Sequence, residues 1–122
     1  MSANCDITNL VTNQTGYSFV LNTSSLSSGN WVVSPQPIPA NAPSFNALQA
    51  IGVSGTATGA VGQAIYNVMQ NGNNVGTFTF NFSDPYSGSN SCSSSSTVSG
   101  LSATNNCPSS GSTFSVSWTI SG

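Results

Sequence analysis

QAIYNVMQNGNNVGTFTFNF, residues 63–82, is the stretch on which the fold class turns. Its second half alternates: Phe78, Phe80 and Phe82 project to one side, and Thr77, Thr79 and Asn81 to the other. That period of two is the mark of a strand with one face in a core. The first half, QAIYNVMQ, is open to either reading, because Ala, Gln and Met also favour helices. Its shortness and the flanking glycines favour a strand. Asn71-Gly72 joins the halves, and an Asn-Gly pair between apolar-rich runs is the strongest short-range hairpin signal, since both central residues of that turn take φ > 0.

Working outward, the same period recurs. TFSVSWTI (113–120) puts Phe114, Val116, Trp118 and Ile120 on one face, with Ser115, Ser117 and Thr119 opposite. GYSFVLN (16–22) aligns Tyr17, Phe19 and Leu21. CDITNLV (5–11) reads as a first strand whose inner face is either Ile7, Asn9 and Val11 or Thr8 and Leu10. SFNALQAIG (44–52) adds another strand, with a short helix as the competing reading. Between these runs lie SSGN (27–30), PQPIPANAP (35–43) and SDPYSGSN (83–90), which are turn chemistry. The low-complexity segment SGSNSCSSSSTVSG (87–100) reads as a loop plus a polar edge strand. About seven strands at regular spacing with no convincing helix predict an all-β, single-domain antiparallel β-sandwich over residues 1–122.

Composition removes most chemistries. The chain has no Lys, Arg or His, and its only acidic residues are Asp6 and Asp84, for a net charge of −2. Without cations there is no counterion release on nucleic acid and no attraction to anionic lipid. Without His there is no Ser–His triad and no His metal site, and without Lys no Schiff base. Two distant aspartates do not announce a general acid–base pair. We therefore expect no catalysis, no cofactor, no metal and no nucleic-acid partner. No run is long and apolar enough for a membrane helix. The N-terminal MSANCDITNL has neither the basic nor the apolar region of a signal peptide. We expect an extracellular or cell-surface protein without a recognisable signal peptide, or alternatively an intracellular crystal or inclusion. Sequons occur at Asn13, Asn22 and Asn81, and matter only in a secretory pathway.

Three cysteines leave an odd count. Cys92 and Cys107 bracket the polar segment and are candidates for a disulfide, although connectivity is not readable from sequence. Cys5 is then either a small buried hydrophobe or a candidate for an intermolecular cross-link.

Four motifs occur in order: NQTGYSFVL, SGNWVVSP, TATGAVGQAIYNV and SDPYSGSN. In this order and spacing the chain resembles the aegerolysin-like β-sandwich proteins, and within them the small component of the binary insecticidal crystal toxins of Bacillus. The resemblance spans residues 5–90. It implies a β-sandwich that recognises membrane lipid and forms pores together with a larger partner protein. The chain departs from the pattern in lacking Lys, Arg and Glu. It also has Val61 at an often acidic position, and its Ser-rich last third matches nothing in the family.

Trp31, Asp84 and Tyr86 are the lipid-binding candidates. Trp and Tyr suit a membrane interface because their rings are amphipathic. A carboxylate at Asp84 can accept from a zwitterionic headgroup. The structural readings beside these are a core Trp31, a packed Tyr86 loop, and an Asp84 that braces its own turn. Two functions compete. One is a non-catalytic component of a two-part pore-forming toxin, bound to zwitterionic or neutral lipid. The other is a self-assembling structural protein, forming a homo-oligomer, filament or crystal, because an uncharged surface has little defence against association. A carbohydrate-binding module is a remote third.

Overall fold

The computed structural model describes residues 5–53 and 55–122. The hairpin forms as read. Asn71 and Gly72 have φ of 52° and 80°, and Gln70 pairs directly with Asn73. Nine strands occur among the described residues: β1 Asp6–Asn13, β2 Ser18–Ser28, β3 Asn30–Val33, β4 Phe45–Ile51, β5 Ala60–Gln70, β6 Asn73–Asp84, β7 Ser91–Ser96, β8 Ser102–Asn105 and β9 Thr113–Ser121. They form a five-stranded sheet, β3-β4-β1-β9-β8, and a four-stranded sheet, β2-β5-β6-β7. The fold is an all-β sandwich. Both segments that also read as helices are strands, β4 and β5. The reading of the extreme N-terminus falls in part on residues outside those described.

The count of nine exceeds the seven expected because β3 and β8 are four-residue edge strands, too short to show a period. The Ser-rich segment supplies the one polar edge strand expected of it, β7, and β8 follows just beyond it. β7 borders the four-stranded sheet and β8 the five-stranded one. Serine on both faces of β7 leaves no alternation to read, the four residues of β8 are too few to show one, and backbone pairing to β6 and β9 decides. One pair departs from antiparallel order: β1 and β9 run parallel. The first and last strands of the sandwich thus lie side by side.

Inward residues follow the predicted faces. Phe19, Tyr66, Phe78 and Phe80 from one sheet meet Ile7, Val11, Leu48, Val116, Trp118 and Ile120 from the other, all buried. The Phe80 and Trp118 rings pack edge to face across the sandwich, with centroids 5.1 Å apart. The ambiguity in β1 resolves toward Ile7, Asn9 and Val11, which puts a polar residue in the core. Asn9 Oδ1 accepts the Trp118 indole N–H at 2.9 Å, so each meets a need of the other. Asn13 is buried as well. Its amide donates to the carbonyls of Tyr17 and Pro39, and its Oδ1 accepts from Thr15. Engaged in this way, Asn13 is closed to a glycan in the folded chain.

Cys92 in β7 and Cys107, just beyond β8, form a disulfide. The bridge ties together the edges of the two sheets on the same flank of the sandwich.

Candidate functional site: the loop cluster at the Asp84 end

At one end of the sandwich five segments converge: the β2–β3 turn at Gly29, the 52–59 connection, the 85–90 loop after β6, the 106–112 loop before β9, and Cys5 before β1. Backbone bonds tie them. The Gly52 N–H donates to the Cys5 carbonyl at 2.6 Å, and the Asp6 N–H donates to Ser112 at 2.8 Å. The Asn90 side chain donates to the Gly111 carbonyl at 2.9 Å. The Gly-rich stretch of the sequence finds its reason here. A Cβ on Gly59 would lie 2.5 Å from the Asp84 carbonyl oxygen and 2.7 Å from the Pro85 Cα. Gly29, at φ of 90°, approaches the carbonyls of Ile51 and Gly59 as closely. Only glycine lets these backbones stack.

The structure gathers the three lipid-binding candidates at this end but gives them different surroundings. Tyr86 is 47% exposed, on the 85–90 loop. Trp31, on the edge strand β3, is half-buried, with its ring edge to face against Phe82 at 5.9 Å. It therefore belongs partly to the core and partly to the surface.

Asp84 has no exposed surface. It is the last residue of β6, paired with Ala60, and its side chain points inward. Neither oxygen meets a donor in full hydrogen-bonding geometry, and the donors close enough to act on it weakly, the Asp6 amide and the Cys5 thiol, lie outside its own turn. Asp84 cannot reach a headgroup while the cluster is closed. Burial pushes its carboxyl up to about 7. The neighbouring Asp6 amide and the Cys5 thiol pull the other way, and the charge on Asp6 adds to the rise.

Cys5, the free cysteine, is also buried, at 2% exposure, with its thiol 3.6 Å from the Pro85 carbonyl. Burial raises its thiol first, and Asp84 adds to this. An intermolecular cross-link needs an exposed thiol, and the closed fold does not present one.

Sequence reasoning passed over a second feature. The proline-rich connection between β3 and β4 read as turns alone. It walls an open hollow of about 600 Å³ lined by Val33, Pro37, Pro39, Ala42, Pro43 and Phe45, at the end of the sandwich opposite Asp84. The connection is held firmly: the buried Tyr66 hydroxyl donates to the Gln36 carbonyl at 2.8 Å, and Phe19 and Ile38 exchange backbone bonds. No member of the described residues forms a cluster of metal-ligating side chains.

No protein-family model and no curated protein sequence matches the chain. Solved structures do match its fold. The crystal structure of the lipid binding protein Nakanori superposes over 98% of this chain and 72% of its own, with a TM-score of 0.74 at 12% identity. IP-1A from Alcaligenes faecalis matches over 98% of this chain and 90% of its own, with a TM-score of 0.55 at 17% identity. The RahU protein matches over 96% and 93%, with a TM-score of 0.54 at 14% identity. At such identities the likeness defines the fold, a β-sandwich that at least one lipid-binding protein shares.

Proposed function

We propose that this chain is a non-catalytic, aegerolysin-like lipid-binding protein that meets zwitterionic or neutral membrane surfaces with its Asp84 end. The observation that carries this is the exposed Tyr86 beside the half-buried Trp31, on a cluster with no cationic side chain. Similarity in fold to the lipid binding protein Nakanori supports the reading. In it, Tyr86 and Trp31 make the interfacial contact. Within the family resemblance, the chain is the small component of a two-part pore-forming system such as the Bacillus binary crystal toxins, with a larger protein completing the pore.

Cosedimentation with phosphatidylcholine–sphingomyelin vesicles, against phosphatidylserine vesicles, at low and high salt tests it. Binding independent of salt and without preference for phosphatidylserine is expected, because there is no Coulombic attraction to screen. Loss of binding in Tyr86→Ser and Trp31→Phe places the contact at this end. Steep salt dependence, or no binding to any vesicle, refutes the reading.

One observation favours self-assembly as a second reading. With Asp84 buried, Asp6 is the one acidic side chain left near the surface, and the edge strands β2, β3, β7 and β8 carry no charged residue. Such edges lack the usual guard against pairing with another copy. Light scattering at high concentration separates the two readings.

A further inference from the structure

The outer face of the four-stranded sheet has no part in the Asp84 cluster or in the proline-walled hollow. Ala64, Tyr66 and Val68 of β5 and Phe78, Phe80 and Phe82 of β6 are buried, so the residues between them face outward. Strand register lines these up in rows, such as Thr23–Ile65–Thr79–Ser95. Rows of this kind repeat at every second residue of β5 from Val61 to Asn67. β5 sets Val61 and Ile65 in the middle, with Val20 of β2 nearby and 49% exposed. Serine, threonine and amide side chains surround them. An apolar centre inside a polar rim is the build of a protein–protein interface.

Both acidic residues lie elsewhere. Asp84 is buried, and Asp6 stands on the outer face of the five-stranded sheet, where its carboxylate accepts from Gln49 Nε2 at 2.9 Å. That difference decides the partner. A two-fold axis sets a surface against itself, so a charge on it meets its like. A hydroxyl or a primary amide both donates and accepts, and so can pair with its own kind. The amides on this face are already joined in part: Gln63 donates to Asn81 at 2.8 Å, and Asn22 to Asn67 at 2.9 Å. Covering them therefore strands fewer polar groups.

We propose that this face is the contact between two copies of the chain, related by a two-fold axis and packed sheet on sheet. This contact presupposes the self-assembly reading and gives it a surface. Twisted sheets of one hand pack in this aligned way inside sandwiches generally. With strands about 4.8 Å apart and rows about 6.7 Å apart, the grid measures about 19 Å by 27 Å, or about 500 Å² from each copy. About 1,000 Å² in all is the lower limit of a specific interface, so the dimer is a weak one that fills at high concentration.

Sedimentation velocity of the full chain over a concentration series tests it. A monomer–dimer equilibrium is expected. Ile65→Lys, at the centre of the grid, should weaken it by more than about tenfold, because two ammonium groups then face each other. Ser115→Lys, exposed on the outer face of the other sheet, should leave it unchanged. Thr79→Cys gives a readout that does not depend on how a lysine is tolerated. Cys5 is buried and Cys92 is bonded to Cys107, so the new thiol is the accessible one. Mild oxidation should link the Thr79→Cys chain into covalent dimers and leave the Ser115→Cys chain monomeric. Association that survives Ile65→Lys, or that cross-links no better through Thr79→Cys than through Ser115→Cys, overturns this interface and leaves assembly to the strand edges. Monomers at every concentration overturn both this contact and the self-assembly reading.

Discussion

Replacing Asp84 by Asn should abolish most of the pH dependence of folding stability above pH 5. The folded-state carboxyl titrates at about 7, against 3.8 for an ordinary aspartate. Between those values the native state keeps a proton that the unfolded chain has lost. Stability therefore falls as pH rises, by up to roughly 1.4 kcal/mol per pH unit. The stabilising contribution is fully present below about 4 and is lost as pH passes through 7. The full shift corresponds to about 4 kcal/mol. Asp84 lies at the end of the sandwich and not at its middle, where water can relax around an ionised group, so about 2–4 kcal/mol is the better range. For a chain of 122 residues this is on the order of 10 °C in Tm. Urea unfolding at one-unit steps from pH 5 to 9 measures it. Wild type should lose stability across that range, and Asp84→Asn should be nearly flat and more stable than wild type at pH 9. Wild-type stability that is constant or rises from pH 5 to 8 would refute the reasoning.

Further predictions follow from the core and the edges. Reduction of Cys92–Cys107, which closes a loop of 15 residues, should cost roughly 3 kcal/mol, seen as a lower urea midpoint. Trp118→Phe should cost about 2–4 kcal/mol, because it opens a cavity and leaves Asn9 without its donor. Adding Asn9→Leu should recover part of that loss in a double-mutant cycle, and strict additivity would contradict the pairing. Ser93→Lys with Ser95→Lys, both exposed on β7, should suppress any association detected by light scattering while leaving Tm within about 1 °C. Gln at the same positions should not suppress it.

The sequence by itself determined the strands that alternate and the chemistry the chain lacks. Phe78, Phe80 and Phe82, and likewise Val116, Trp118 and Ile120, announce buried faces because a strand has a fixed period of two and apolar side chains leave water together. Asn71-Gly72 announces its turn because backbone sterics are local. The absence of Lys, Arg and His is a fact of composition that no fold can alter. The tertiary structure decided whatever depends on contacts distant in sequence. It chose the inner face of β1, because Asn9 finds the Trp118 indole only when the first and last strands lie side by side. It made edge strands of β7, where serine gives no period, and of the four-residue β8, where only pairing with the neighbouring backbone decides. It put the Asp84 side chain inside, although Asp before Pro looks locally like a turn. Gly59, Cys5 and the 106–112 loop come from distant parts of the chain, and their convergence is what excludes water from that carboxyl and raises its proton affinity.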